Sequence, residues 1–289
     1  MVTLDKMVKH SNIRQRYGGI SDMEKLIMLG TGNATVTKCY NTCFAIQREE
    51  DYFLIDTGGG NGILTQLEKA EIPLNRIHEI FISHEHTDHL LGIVWLIRMI
   101  ATQMKKDKYE GSLNIYCHKE LVDTIMTIAE LTVQPKFFRM IGERIFLNSV
   151  ADGEQKEIFG HRLVFFDIGS EKAKQFGFTI TLENGKKFSF LGDEPYRTCE
   201  YEYALDADWL LHEAFCLYRD RDIYKPYEKF HTTVKEACEY ATMLHAKNLI
   251  LYHTEDRNLE ERKYLYTEEG KEYYKGNILV PDDLDVIEL

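Results

Sequence analysis

The chain lacks several features that would assign it to a membrane, secreted or P-loop class. No apolar run approaches the ~20 residues that a membrane-spanning helix needs, and residues 1–6 lack the apolar segment of a signal peptide. The six cysteines form no CxxC pair and no dense framework, so reduced thiols are expected. No Gly-Lys-Ser/Thr follows the glycines at 58–60, which excludes a P-loop. These absences predict a cytoplasmic protein without a membrane partner.

Basic residues are also few relative to acidic ones. The sequence has 35 Lys and Arg against 47 Asp and Glu, a net charge of -12. A protein that binds nucleic acid through phosphates normally carries a basic face, because counterion release drives much of that affinity. The short basic patch at residues 105–108 is expected to be a solvated helix end. RNA is therefore a disfavoured partner.

The domain organisation is simple. No repeat, low-complexity tract or Pro/Gly-rich linker divides the sequence, and 44% of its residues are hydrophobic, which is ample for a buried core. Residues 1–24 are polar and irregular, so we expect an N-terminal extension there. Residues 25–289 are expected to form a single domain.

Short apolar strands alternate with helical segments along this domain. Residues 26–29 have a strand pattern, whereas residues 62–70 and 119–131 have helical ones. The pair Asn184 and Gly185 lies between two apolar runs and predicts a type I′ hairpin. The alternation predicts the α/β class, although periodicity alone does not show which strands pair.

The most informative segment is a cluster of four metal-binding side chains. His84, His86, Asp88 and His89 follow the apolar run at residues 80–82. Imidazole suits zinc, iron, copper and nickel, and a carboxylate adds a hard oxygen ligand. Side chains alternate in a strand, so a strand that turns into a helix at Asp88 would aim the first two histidines at one metal. The other two side chains would then face a second, adjacent metal. The alternative is a polar loop with coincidental histidines.

Further polar residues occur where apolar strands stop. These are Asp56, Asp167, Asp193, His212, Glu213 and His253. Open α/β sheets place ligands at the carboxyl ends of strands, so residues distant in sequence can converge there. Each residue taken alone also fits a turn or a helix cap, and for Asp56 the two interpretations are equally strong.

The chain resembles the metallo-β-lactamase fold hydrolases and, within them, the ribonuclease Z-like branch. The resemblance covers residues 29–289, with the HxHxDH cluster as its most specific part. The other matching segments are LGTGNA at 29–34, LIDTG at 54–58, LGD at 191–193, LHEAF at 211–215, HTTVKEA at 231–237 and LILYH at 249–253. The His-Glu-Ala and His-Thr-Thr segments point to the ribonuclease Z-like branch.

This resemblance implies a four-layer αββα sandwich, a homodimer, and two divalent metal ions between the sheet edges. Zinc is the first expectation, with manganese or iron as alternatives. By motif position, His84 and His86 would hold the first metal. Asp88, His89 and His253 would hold the second, and Asp193 would bridge the two.

The resemblance also implies a proton relay. Glu213 and His231 match positions that form a relay with the metal-ligating aspartate, here Asp88. His231 would donate a proton to the leaving oxygen, and Glu213 would orient it. The alternative is that His231 and the two threonines after it only cap the following helix.

Two departures from the family pattern stand out. A third histidine for the first metal should follow the strand at 163–166, but Asp167 stands there, and His161 fits worse. Asp167 is either a ligand, which is favoured, or a turn residue beside a weakly held first metal. The second departure is the lack of a long tRNA-gripping arm, because both 167–178 and 180–190 are short.

The sequence thus predicts a metal-dependent hydrolase, a phosphodiesterase that uses a hydroxide activated by two metals on a small phosphodiester or other hydrolysable small molecule. The alternatives are a ribonuclease Z-type tRNA 3′-end endonuclease and a metal-binding scaffold or sensor without turnover. The histidines outside these motifs are expected at the surface: His10, His78, His118 and His245.

Overall fold

Two seven-stranded sheets form the centre of the computed structural model, which describes residues 24–289. The expected extension at 1–24 lies outside the described residues, apart from Glu24. In spatial order, the first sheet contains β14 (Val286–Glu288), β1 (Lys25–Gly30), β2 (Cys43–Arg48), β3 (Asp51–Ile55), β4 (Ile77–Phe81), β5 (Leu113–His118) and β6 (Ile145–Val150). The second contains β13 (Asn277–Leu279), β12 (Asn248–Tyr252), β11 (Trp209–Glu213), β10 (Lys187–Phe190), β9 (Phe176–Thr181), β8 (His161–Asp167) and β7 (Gln155–Ile158).

Helices cover the outer faces of the two sheets. In chain order they are α1 (Gly62–Lys69), α2 (Thr87–Leu90), α3 (Gly92–Met104), α4 (Lys119–Thr132), α5 (Pro135–Phe138), α6 (Tyr201–Ala204), α7 (Arg221–Tyr224), α8 (Val234–Met243) and α9 (Arg262–Tyr273). Buried residues of α1, α3 and α4 pack on the first sheet, and those of α8 and α9 pack on the second. The predicted αββα sandwich is confirmed.

Successive side chains of a strand point to opposite faces of its sheet, so each strand contributes to two buried cores. In β1, Leu26 and Met28 face the core between the sheets, whereas Ile27 and Leu29 face the helices. The core between the sheets is rich in phenylalanine: Phe44, Phe53, Phe81, Phe165, Phe178, Phe188 and Phe190 are all buried. Neighbouring rings have centroids 5.2–6.4 Å apart, as in Phe81 with Phe165 and Phe44 with Phe188. Aromatic pairs at this distance contribute about 0.5–1.5 kcal/mol beyond their buried area. These rings fix how the two sheets align, and therefore where the strand ends meet.

Local predictions agree with the elements found. The helix predicted at 62–70 is α1, and that at 119–131 is α4. β9 and β10 pair antiparallel, so the predicted hairpin forms, but its turn is not type I′. Gly185 has φ of 80°, whereas φ of Asn184 is not positive, and a type I′ turn requires positive φ at both residues. The Gly185 amide instead donates to the Leu182 carbonyl at 2.9 Å, which makes Gly185 the last residue of the turn. Among residues 24–289, no helix has the length and apolar composition needed to cross a membrane.

One surface prediction is wrong. His118 is buried, and its Nδ1 accepts a hydrogen bond from the Leu121 amide at the start of α4. The polar residues that follow it suggested exposure, but its own ring points inward from the end of β5. His245 is exposed, His78 is half-buried, and His10 lies outside the described residues.

A fully buried arginine joins the C-terminal segment to the sheets. Nη1 of Arg262 donates to the hydroxyls of Thr31 and Thr254 at 3.1 and 2.7 Å. Its Nη2 donates to the Pro281 carbonyl at 2.7 Å and to Asp282 at 2.8 Å. Since buried polar groups must keep their partners, these four bonds hold three separate segments of the chain together.

Replacing this arginine should therefore destabilise the fold. We expect Arg262→Met to lower the free energy of unfolding by about 2–4 kcal/mol, because it leaves buried acceptors without donors. Urea denaturation measures the loss. Lys263→Met is the matched control, because Lys263 also pairs with Asp282 but is half-exposed, and it should cost less than about 1 kcal/mol. Equal losses in the two variants would contradict this role for Arg262.

Candidate metal centre

The histidine cluster lies at the carboxyl end of β4. After Phe81, residues 82–86 belong to no strand or helix, and His86 has an extended backbone. α2 begins at Thr87, one residue earlier than predicted. This change from strand to helix turns Asp88 and His89 toward the buried end of the sheet. Gly92 permits the arrangement, because a Cβ there would lie 2.0 Å from the Thr57 carbonyl oxygen.

Four side chains form a compact group around the position predicted for the second metal. His89 Nε2 lies 3.4 Å from Asp88 Oδ2 and 3.3 Å from Asp193 Oδ2. His253 Nε2 lies 3.5 Å from the same Asp193 oxygen. Ligands about 2.0–2.1 Å from a tetrahedral zinc ion lie about 3.4 Å from one another. These three separations are therefore close to those of zinc ligands, and the ligand atoms of Asp88, His89 and His253 all lie within 4.8 Å of one another.

The position predicted for the first metal is less complete. His84 Nε2 lies 2.9 Å from His86 Nδ1 and 3.7 Å from Asp193 Oδ2. The ligand atoms of His84, His89 and Asp193 lie within 4.8 Å of one another. One oxygen of Asp193 thus faces both histidine groups, which is the geometry that a bridging carboxylate needs.

The electrostatics of this group also fit a cation. His89 Nε2 is buried and has no hydrogen-bond partner, although two carboxylates face it. Burial lowers the pKa of His89, but Asp88 and Asp56 outweigh it and hold this pKa well above its usual value. A cation bound by the cluster would satisfy the nitrogen and offset the carboxylate charge. The mixed nitrogen and oxygen donors suit zinc, manganese or iron.

Further side chains orient these ligands. Asp56, at the end of β3, accepts from the Ser83 amide at 2.8 Å, and its Oδ2 lies 2.7 Å from His89 Nδ1. The Thr42 hydroxyl lies 3.0 Å from His253 Nδ1. Such contacts select the ring nitrogen that faces the metal. The sequence indicates Asp56 as a candidate because it follows an apolar strand, whereas no feature of the sequence indicates Thr42.

The predicted relay residues lie beside this group. His231 Nδ1 is 3.7 Å from Glu213 Oε2, and the other Glu213 oxygen accepts from the Thr232 amide. Burial lowers the pKa of His231 to about 3 and raises that of Glu213 well above its usual value. The cap of α8 is made by Thr233 with Glu236, so His231 is not needed for it.

Five of these side chains line one cleft. Its volume is about 550 Å³, and its walls include His86, Asp88, Asp193, His231 and His253. Ligand pockets for small molecules typically measure about 300–1,000 Å³.

The rim of this cleft carries positive and aromatic groups. Lys172, Lys229 and Phe230 line it, and Phe230 is 40% exposed. The Lys172 Nζ lies 5.7 Å from the centre of the Phe230 ring. Two further carboxylates, Glu85 and Glu228, also line the cleft. The cleft therefore combines possible metal ligands with ammonium groups that suit an anion and with acidic groups on its wall.

A family match and two similar proteins show what this chain is related to. Residues 24–273 match the family described as "Anti-Pycsar protein Apyc1". The chain belongs to this family. It is 28% identical to ribonuclease Z from Thermococcus sibiricus, over 92% of this chain and 97% of that protein. Ribonuclease Z from Bacillus cereus is 26% identical, over 89% and 97%.

Solved structures agree. The metallo-β-lactamase fold protein YhfI from Bacillus subtilis superposes with a TM-score of 0.76 at 18% identity, covering 93% of this chain and all of that one. Short-form human tRNase Z gives 0.68 at 25% identity, covering 91% and 98%. This Apyc1-family chain is thus a ribonuclease Z-like member of the metallo-β-lactamase superfamily of metal-dependent hydrolases.

Asp167 does not lie among the possible ligands of the first metal, although its position in the superfamily pattern predicted that role. Its carboxylate accepts from the Gly169 amide at 2.8 Å, and it belongs to neither group of ligand atoms. Gln175, which the sequence did not mark, lies closer. Its Nε2 donates to Asp193 Oδ1 at 2.5 Å and lies 2.8 Å from His84 Nδ1. The structure thus places an amide, and not Asp167, against the predicted bridging carboxylate.

The Asp56 contact predicts an effect on metal affinity. Asp56→Asn keeps the shape and tolerates the φ of 54° at this position, but it removes the charge that orients His89. We expect zinc affinity to fall about 10–100-fold, as is usual when such partners are lost. Competition with a chromophoric chelator measures it. Asp51→Asn, at the half-exposed opposite end of β3, is the control, and unchanged affinity in Asp56→Asn would refute the role.

Proposed function

We propose that this chain is a phosphodiesterase that hydrolyses small phosphodiesters with two divalent metal ions. The observation that carries the proposal is the pair of His231 and Glu213: His231 lines the same cleft as possible metal ligands, and the buried Glu213 lies behind it. The alkoxide expelled from a phosphodiester benefits from a proton donor, whereas the thiolate expelled from a thioester leaves without one.

The chain's own residues would divide the work as follows. His84, His86 and Asp193 would hold one metal, and Asp88, His89, His253 and Asp193 the other. When bound, such metals lower the pKa of a coordinated water and polarise phosphoryl oxygens. Because burial lowers the pKa of His231 and raises that of Glu213, the proton of the pair would reside on Glu213. His231 would give its Nε2 proton to the leaving oxygen while its Nδ1 takes up the proton of Glu213. Glu213, fixed by the amide and hydroxyl of Thr232, would hold the imidazole in position.

Lys172 would contribute to binding the substrate. Its ammonium lies at the cleft near His231 and His253, where its charge acts on both rings. A lysine binds phosphate as a point charge, without the fixed geometry of an arginine. We therefore assign it to the phosphodiester charge and not to the proton transfer.

A tRNA 3′-end endonuclease is the second candidate, because several curated relatives are named ribonuclease Z. Against it, β8 and β9 are joined by residues 168–175 and β9 and β10 by a tight hairpin, so neither connection is a long arm. The net charge of -12 also disfavours a long RNA. A scaffold or sensor without turnover is the third candidate, since Asp167 lies outside the ligand groups.

We include zinc, a homodimer and a cytoplasmic location in the proposal. The histidine-rich donor set supports zinc. A groove of about 320 Å³ between α3 and α4, lined by Val94, Trp95 and Ile128, supports self-association because it is mainly apolar. The cytoplasmic location is supported by the cysteine pattern, which does not suggest disulfides.

The relay can be tested with a simple substrate. Zinc-loaded protein should hydrolyse a dinucleoside phosphodiester, whose leaving group is an alkoxide, and His231→Ala should lower kcat about 10²–10⁴-fold, the usual contribution of a general acid. Hydrolysis of bis-p-nitrophenyl phosphate, whose phenolate leaves without a proton, should change little. Metal content should stay unchanged. His245→Ala, at an exposed histidine, should behave as the native chain. Unchanged turnover in His231→Ala would remove it from the mechanism. Cleavage of precursor tRNA alone would favour the second candidate, and no turnover on any substrate the third.

The role of Lys172 predicts a different kinetic signature. Lys172→Gln should raise KM about tenfold with little change in kcat, because it removes binding that is equal in the ground and transition states. Steady-state kinetics on the same substrate separate the two constants. Lys174→Gln is the matched control, since Lys174 lies on the same connection but pairs with Glu120. A fall in kcat alone would contradict this assignment.

A further inference from the structure

We propose that the two metal positions differ strongly in affinity: the position at Asp88, His89, His253 and Asp193 retains its ion, and the position at His84 and His86 does not. This inference rests on the metal centre of the proposed function but not on its substrate. It concerns how this chain's own residues are arranged, and its test measures metal content and not turnover.

The second position is built as a tight site. The ligand atoms of Asp88, His89 and His253 belong to buried side chains and lie within 4.8 Å of one another. Asp193 Oδ2 lies 3.3 and 3.5 Å from the two histidines. Asp56 and Thr42 orient two of its histidines from behind. A site whose ligands are already placed and oriented loses little entropy when an ion binds, so its affinity is high.

The first position lacks comparable support. In the described part of the chain it has two histidines and the Asp193 oxygen that it shares with the second position. His86 is only half-buried, and its one side-chain hydrogen-bond contact is with His84 itself. The other Asp193 oxygen accepts from Gln175. An ion here would need water or a substrate atom to complete its coordination.

The connection between β8 and β9, where the superfamily pattern expects a third histidine, supplies no replacement. Both of its carboxylates are engaged elsewhere, Asp167 with the Gly169 amide and Glu171 with Arg197 at 2.8 Å. The side chain that this connection does place at the cleft is Lys172. An ammonium has no lone pair to coordinate a metal, so this connection adds no ligand to the first position.

Metal retention tests the asymmetry directly. The full chain is loaded with excess zinc, dialysed against metal-free buffer, and analysed by mass spectrometry of the elements. We expect about one zinc per chain, and calorimetric titration should show a second site at least about 100-fold weaker. Two retained zinc ions, or two sites of equal affinity, would overturn the proposal.

Two variants identify which position retains the ion. His86→Ala should still retain about one zinc, whereas His253→Ala should retain almost none. The reverse pattern would overturn the assignment. Circular dichroism and thermal melting of the zinc-free proteins show whether each variant folds. If His253→Ala does not fold, the native stoichiometry and the His86→Ala result still decide the proposal, because loss of the retained zinc in His86→Ala contradicts it. Turnover is not measured, so failure of the phosphodiesterase proposal would leave this result intact.

Discussion

The contact between Asp193 and the histidines of the first sheet is the constraint on which the site depends. Asp193 follows β10 in the second sheet, whereas His84 and His89 follow β4 in the first. Their atoms can lie 3.3–3.7 Å apart only if the two sheets pack with these strand ends together. The phenylalanine core between the sheets provides that alignment. Packing far from any ligand therefore sets the geometry of the metal centre.

The sequence was sufficient for the parts of the site that are encoded locally. The HxHxDH cluster could be interpreted because its spacing and the residue types alone imply a metal, and the strand ends suggested Asp193 and His253. The orienting contacts of Thr42 and Gln175 could not be predicted in this way. Each is made across a tertiary interface, at 211 and 91 residues' separation, and neither side chain is unusual in its local context.

Asp167 is the opposite case. Its position in the family pattern predicts a metal ligand, whereas its local sequence favours a turn. An aspartate two residues before a glycine readily accepts the backbone amide of that glycine, and Gly169 has φ of 72° in such a turn. The local bond forms without any long-range contact, so it competes well with ligation. His118 was misjudged for a related reason, because its polar sequence neighbours concealed the inward direction of its ring.

The same buried carboxylates that attract a cation also link metal binding to protons and to folding. Without an ion, Asp88 and Asp193 are close to one another, and the raised pKa of His89 means that a proton on its ring offsets part of their charge. A metal that binds Nε2 must displace that proton, so affinity in this position rises with pH. Because the ligands come from both sheets, an ion held between them favours the folded state over the unfolded one. Metal binding and the packing of the two sheets therefore stabilise each other.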